Sequence, residues 1–295
     1  MKILSLFDGI SCGQCALKKN GISNYDYFAS EINAKAIKVT EKNFPETKQL
    51  GDVVSLSDSI NENFDLLIGG SPCQDLSRAL ANGKGLQGER SGLFFNYLKI
   101  LNKVSPKYFL LENVKMKPEW EEQISKELGV KPIKINSNIF VAQNRERLYW
   151  TNIPFSEIPP EQIEKGKNIL IKDIVYDDNY KIFSDPRISS TKIKTKNYVK
   201  WDMSGKKYWS QQDRAYYKDG KMCTLPKNNP ANKLNIVLDY DKDIYRRCHA
   251  VEGERLQGLD DFYTDGVGLS NAQRLSLIGD GWTVDVIAHL LKNIK

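Results

Sequence analysis

The sequence predicts an α/β protein: a doubly wound, mostly parallel sheet carrying a small inserted domain. Three observations point there. In the first 150 residues, short apolar runs alternate with helical patterns at a spacing that suits strand–helix–strand crossovers. Turn residues and acids fall at the ends of several of these runs, the edge at which doubly wound sheets gather ligands. After Trp150 the alternation breaks up, a lysine-rich and aromatic stretch follows, and α/β character returns from Tyr245. The expected division is a catalytic and cofactor-binding part over 1–155, an inserted part over 156–244, and a C-terminal segment, 245–295, that completes the first.

The elements read in order. ILSLF is a strand, Gly9 allows a tight turn, and Ala16-Leu17 open a helix. YDYFASE is the second strand, followed by a helix over NAKAIKVTEKNF; QLGDVV holds a third. FDLLIGG is a buried strand, then a polar loop leads to a helix at 91–104 whose stripe is Leu93, Phe94, Tyr97, Leu98, Leu101 and Val104. KYFLLENV, EEQISKELG, PIKINSN and RLYW continue as strand, helix, strand and strand. The proline-rich IPFSEIPPEQIEKG reads as a linker, and YYKDGKMCTLPKNNP as short strands and turns. ERLQGL, LSNAQRLSLIGDG and WTVDVIAHLLKNI read as closing helices.

Composition bounds the function. A chain of 295 residues, 40% hydrophobic and 27% charged, buries a full core. No apolar stretch approaches the roughly 20 residues that span a bilayer, and Asp8 comes too early for a signal peptide, so a cytoplasmic protein with reduced thiols and no membrane partner is expected. Five cysteines, with only 12 and 15 close together, argue against a disulfide framework or a four-cysteine zinc site. Two histidines, His249 and His289, argue against a Ser-His-Asp hydrolase or a histidine-held metal, and no metal is expected. The net charge of +6 is uneven: residues 181–233 carry eleven Lys and two Arg against four Asp. Phe183, Tyr198, Trp201, Tyr208, Trp209, Tyr216 and Tyr217 are interleaved with that charge. Such a stretch is either a solvated lysine face or a surface that neutralises nucleic-acid phosphates.

Several residues carry chemistry. FDGISCGQCAL supports two readings, a Cys12/Cys15 dithiol at a helix start or a glycine turn that offers free backbone N–H groups to a ligand. Glu31 closes the second strand 22 residues after Gly9, where nucleotide-binding folds place a carboxylate for ribose hydroxyls, and Asp52 follows the third strand, positioned for an adenine edge or as a helix cap. In GGSPCQDLS the thiol of Cys73 stands at a strand end behind a rigid proline, with a glycine-rich loop over 74–92 that is either disordered surface or a closing lid. FLLENV sets Glu112 and Asn113 at another strand end, where a partly desolvated carboxyl would have a raised pKa and donate a proton. In QNRERLYW, alternation on an extended segment would point Gln143, Arg145 and Arg147 the same way.

Taken together, FDGISCG, GGSPCQDLS, ENV, QNRERLYW, RRCHAVEGERLQGL and GDGWTVDVIAHLL resemble the DNA (cytosine-5) methyltransferases, in the family's order over almost the whole chain. SPCQDLS, RSGLFF and the tryptophan of GDGWTV look closer to the animal de novo enzymes than to many restriction-associated ones. The resemblance implies a Rossmann-like methyltransferase sheet and S-adenosylmethionine bound by Phe7, Gly9, Ile10, Cys12, Glu31, Ile32, Asp52, Val53, Pro72, Leu93, Asp280 and Trp282. It makes Cys73 the nucleophile on carbon 6 of a flipped cytosine, Glu112 the group on ring nitrogen 3, and Arg145 and Arg147 the arginines near the base. The glycine turn then serves the cofactor and Cys15 packs. Double-stranded DNA is the implied partner of a monomer, with residues 156–244 recognising the target and Arg187, Gln211, Gln212, Arg214 and Asn228 as candidates for base contacts. Many bacterial members carry Asn where this chain has Asp280, and a glycine pair at Ser11-Cys12. A transfer-RNA methyltransferase shares the fold, but its Pro-Pro-Cys and Cys-Phe-Thr marker is absent; an inactive DNA-binding regulator would lack the Cys73 or Glu112 present here.

Overall fold

The computed structural model describes residues 1–72, 92–184, 192–200, 214–227 and 234–294. The chain forms two compact units: 1–136, 146–157 and 286–295 make one, and 137–145 with 158–285 make the other.

The first unit is built on a seven-stranded sheet. In chain order its elements are β1 (Lys2–Leu6), α1 (Cys12–Lys19), β2 (Asp26–Ser30), α2 (Ala34–Asn43), β3 (Lys48–Gln49), α3 (Val53–Ser59), β4 (Leu66–Gly70), α4 (Leu93–Val104), β5 (Tyr108–Val114), α5 (Pro118–Leu128), β6 (Ile133–Asn136) and β7 (Glu146–Thr151). The spatial order is β3-β2-β1-β4-β5-β7-β6. All neighbours are parallel except β7, which runs against both β5 and β6. The alternation of apolar runs and helical patterns yields the mixed, mostly parallel α/β sheet it predicts. β1, β2, β4 and β5 are nearly continuous runs of buried residues, as expected for strands covered on both faces. The chain steps outward from β1 to β3, then returns to β4 on the other side of β1. Right-handed crossovers therefore put the connecting helices of the two halves on opposite faces and open a crevice beyond the carboxyl ends of β1 and β4.

The helix predicted over 91–104 is α4, which buries Phe94, Tyr97, Ile100 and Val104. Its Tyr97 ring lies so close to β4 that a Cβ on Gly69 would stand 3.0 Å from it and 3.1 Å from the Leu6 carbonyl. Glycine at 69 is thus required by packing. The core continues through Leu4, Leu67, Leu111, Leu148 and Trp150, whose indole donates to Ser125 Oγ at 2.9 Å.

In the second unit α6 (Pro160–Lys167) lies inside the segment expected to be a linker. Pro159-Pro160 stand at its start, where proline's fixed φ favours a helix and its missing N–H costs nothing, so they punctuate rather than break. Strands β8 (Ile182–Phe183), β9 (Ile193–Lys194), β10 (Tyr198–Lys200), β11 (Arg214–Tyr216), β12 (Asn235–Asp239) and β13 (Ile244–Arg247) form a six-stranded sheet ordered β8-β13-β12-β11-β10-β9. Val199, Ala215, Val237 and Tyr245 make a small core on one of its faces. Helices α7 (Ala250–Leu256) and α8 (Asn271–Asp280) follow, and α9 (Val284–Leu291) begins at the end of this unit and runs into the first. None of the described helices is long and apolar enough to cross a membrane.

Candidate active site

The loop after β1 carries the first part of the site. Phe7, Gly9 and Ser11 all have positive φ, at 56°, 61° and 56°. For phenylalanine and serine that conformation is strained, and strain of this kind persists where surrounding structure enforces it. Here Glu31 is one enforcer: its Oε2 accepts from the Gly9 N–H at 2.8 Å, while Oε1 accepts from the N–H groups of Ile32 and Asn33, both at 2.8 Å. The spacing of 22 residues thus joins the two strand ends physically. A Cβ at Gly9 would meet nothing within 4 Å, so conformation, not crowding, demands glycine, and the space beside it is open.

Asp8, which the sequence reading did not single out, is the hub beneath that loop. Its Oδ1 accepts from the Tyr27 hydroxyl at 2.8 Å and its Oδ2 from Ser11 Oγ. Burial pushes its carboxyl up to about 6, against the opposing pull of the hydrogen bonds from Ser11, Ser5 and Tyr27. Thr40 and Gln14 extend the network through Ser11 Oγ, at 3.2 and 3.3 Å. Cys12 is buried in the first turn of α1 and Cys15 half-buried; both are free thiols.

The remaining expected cofactor positions of the first unit distribute as follows. Ile10 and Val53 are buried, Phe7, Pro72 and Leu93 half-buried, and Ile32 is 74% exposed, the most exposed of the large apolar side chains described. Asp52 caps α3, its Oδ1 accepting from the Val54 N–H at 3.1 Å, which is the helix-cap alternative for a strand-end acid. Asp280 and Trp282 belong to the second unit. There Lys227 Nζ lies 2.5 Å from Asp280 Oδ2, so the acid that replaces the common asparagine is charge-paired.

Cys73 and the loop over 74–92 lie outside the described residues, as do Arg187, Gln211, Gln212 and Asn228. What precedes Cys73 is described. Glu112 stands in register with Gly70 across β5 and β4. Its neighbour Asn113 donates through Nδ2 to the Ser71 carbonyl at 3.2 Å and to Ser71 Oγ at 2.9 Å. The two residues of the ENV segment therefore divide their work: one presents a carboxyl and the other holds the chain leading to Pro72.

Glu112 is 8% exposed and pairs with Arg147, whose Nε is 2.9 Å from Oε1. The expected alignment of Gln143, Arg145 and Arg147 is not what forms, because extended structure begins only at Glu146. Arg145 is buried in the second unit and donates to the carbonyls of Leu225, Gly279 and Gly281 at 3.3, 3.2 and 2.9 Å. Gln143 donates to Leu256 O and accepts from the Leu225 N–H, both at 2.8 Å. Arg147 is the one of the three seen paired with Glu112 among the described residues. The RRCHAVEGERLQGL block is likewise architectural, with Arg246 gripping Glu252 through two bonds at 3.0 and 2.7 Å and both side chains fully buried. Lys221 Nζ is ringed by the carbonyls of Asn138, Val141, Gly166 and Ile169 at 2.8–3.1 Å. Nothing in its sequence context signals that role. Among the described residues no group of three or more His, Cys, Asp or Glu could hold a metal ion.

A strained glycine turn tied to a strand-end acid, opening on the crevice of a reversing parallel sheet, is the architecture of α/β enzymes that bind a nucleotide-type cofactor. A family model of the C-5 cytosine-specific DNA methylases matches residues 1–295, and the chain belongs to that family, whose members take their methyl group from S-adenosylmethionine. It is similar to the orphan methyltransferase M.Rho11sI of Bacillus phage rho11s, 35% identical over 189 residues, which is 57% of this chain and 36% of that protein. The match thus spans little more than a third of the phage relative's length. It is also similar to the type II methyltransferase M.FnuDI of Fusobacterium nucleatum, 27% identical over 334 residues, with 100% of this chain and 94% of that one covered. In fold it is similar to the Entamoeba histolytica methyltransferase EhMeth, with a TM-score of 0.74 at 20% identity, covering 99% of this chain and 97% of that one.

Proposed function

We propose that this chain transfers a methyl group from S-adenosylmethionine to carbon 5 of a cytosine in double-stranded DNA. The observation that carries the reading is Glu112: a buried carboxyl in register with Gly70, anchored by Arg147, with its neighbour holding Ser71 three residues into the Gly69–Cys73 run. The first unit suits the cofactor. Open space beside Gly9, a Glu31 carboxylate with acceptor capacity beyond the three N–H groups it binds, and the exposed Ile32 side chain offer a turn for the methionine part, a partner for the ribose and an apolar wall for the adenine. When bound, the cofactor supplies an electrophilic methyl on a sulfonium.

The chain's own residues make cytosine able to accept it. Carbon 5 is a poor nucleophile until the thiolate of Cys73 adds to carbon 6. That addition drives negative charge onto ring nitrogen 3, where Glu112 delivers a proton or hydrogen bond, and carbon 5 becomes electron-rich. Loss of the carbon 5 proton and expulsion of the Cys73 thiolate then regenerate the enzyme. Arg147 fixes the Glu112 carboxyl, and Arg145 holds the carbonyls of Leu225, Gly279 and Gly281. The base leaves the duplex to reach these groups, a cost of a few kcal/mol met by protein contacts. Residues 156–244 grip the duplex, a monomer suffices, and the setting is the cytoplasm.

The test uses duplex DNA containing 5-fluorocytosine with S-adenosylmethionine. Fluorine blocks the final proton removal, so mass spectrometry finds Cys73 joined to the DNA, and Cys73→Ala gives no adduct. An adduct on substituted transfer RNA but not on DNA would replace this reading with RNA methylation, and none on either would leave a binding protein.

A further inference from the structure

The six-stranded sheet of the second unit has two unlike faces. Val199 and Ala215 are paired across β10 and β11 and turn into the small apolar core. By strand alternation their neighbours face the other way: Tyr198 opposite Tyr216, and Lys200 opposite Arg214. On that second face lies a recess of about 240 Å³ lined by Tyr198, Arg214, Tyr216, Asn144, Asn197 and Thr224, with Lys221 and Cys223 behind them. It is below the roughly 300–1,000 Å³ of drug-sized pockets and on the scale of one nucleobase.

Arg214 dominates its chemistry. The guanidinium carbon stands 4.7 Å from the centre of the Tyr198 ring, and Tyr198 and Tyr216 are 5.5 Å apart, so the fork is held over an aromatic platform. Among the described residues Arg214 has no carboxylate within ion-pair distance, unlike Arg246, Arg255 and Arg274 of the same unit. The other cation of the recess, Lys221, is committed to four carbonyls. Lys200, opposite Arg214 on the same face, does not line the recess. A guanidinium set among amides and hydroxyls suits a planar edge with two acceptors.

We infer that Arg214, braced on Tyr198, is a specificity-determining residue that reads a guanine of the target site through its O6 and N7 acceptors. This rests on the DNA reading above and deepens it. Arginine forked onto guanine is the commonest specific base contact and discriminates by 1–3 kcal/mol, which is roughly a 5- to 150-fold preference.

The experiment selects bound duplexes from a randomised pool with the wild-type chain, Arg214→Gln, Arg214→Lys and Tyr198→Ala, reads methylation on the same pool, and measures binding against salt. Circular dichroism melts check that each variant is folded. The expected result is a guanine at one position of the wild-type site whose preference falls about 5-fold or more in Arg214→Gln, and also in Arg214→Lys and Tyr198→Ala, with the other positions unchanged. Uniformly weaker binding with an unchanged site and a salt slope reduced by about one would make Arg214 a phosphate contact and overturn the inference. Unaltered selection in Arg214→Gln would overturn it as well. Bound-pool selection needs no methyl transfer, so a wild-type chain that selects this guanine but methylates nothing would sink the proposed activity and leave the inference standing.

Discussion

Replacing Lys221 by methionine removes a charge while keeping most of the stem, and the structure sets the size of the loss. Four carbonyls surround the ammonium at 2.8, 2.8, 2.9 and 3.1 Å, and an ammonium has three protons, so three charge-assisted bonds disappear. A carbonyl left buried without a partner costs roughly 1–3 kcal/mol. Lys221 is only half-buried, so water reaches part of the ring and the low end applies, giving a loss of about 3 kcal/mol. Urea unfolding followed by circular dichroism measures it, with hydrogen exchange at 138–141 and 166–169 locating it. Because a ring of carbonyl oxygens is also what a potassium ion prefers, potassium chloride recovers part of the loss in the variant beyond what lithium chloride does, and has no such effect on the wild type. A Lys221→Met protein within about 0.5 kcal/mol of wild type, the range of an ordinary surface change, would show that the ring holds nothing together.

Other outcomes follow from both units. Asp8 binds its proton more tightly folded, at about 6, than unfolded, at 3.8, so its contribution is complete below pH 4 and is lost as pH rises through 6. Urea titrations at pH 4 and pH 7.5 should therefore find Asp8→Asn gaining on the wild type by about 2 kcal/mol across that window, and no gain would refute the assignment. Glu112→Gln should lower single-turnover methylation by about 10²–10⁴-fold while cofactor affinity, read by calorimetry, stays within about twofold. Gly9→Ala meets no atom but must hold φ at +61°, so a destabilisation of about 1 kcal/mol and weaker cofactor binding are expected, whereas Gly69→Ala should lose more because Tyr97 and Leu6 are in the way. Arg246→Met strands the fully buried Glu252 and should cost about 3–5 kcal/mol in a thermal or urea melt.

The parts of the fold legible in the sequence are those whose signal is local. β1, β4 and β5 announce themselves as apolar runs, α4 as a stripe, and Gly9 as a turn. The reversal of β7 was not read, although the clue was present: no helical pattern separates PIKINSN from RLYW, and a connection without a helix favours an antiparallel return. Arg145 shows a different limit. Alternation was a sound rule applied three residues too early, because Gln143 bridges to Met222, far along the chain, and the strand begins after it. Asp8 and Lys221 give no such local signal, because their roles depend on partners 19 and up to 83 positions away, outside any window around them. The same holds for Lys227, which neutralises Asp280 from another segment.

The chain leaves its first unit at 136, returns at 146, leaves again at 157 and comes back at 286. Arg145 and Arg147, two positions apart, therefore serve different bodies. This bears on how a target preference could be traded between relatives. A graft of 158–285 alone would strip Lys221 of Asn138 and Val141, Gln257 of Gln143, and the Gly279 and Gly281 carbonyls of Arg145. The heritable cassette is discontinuous: a short inner strip and a long outer one that must travel together, with four seams where a contiguous graft has two.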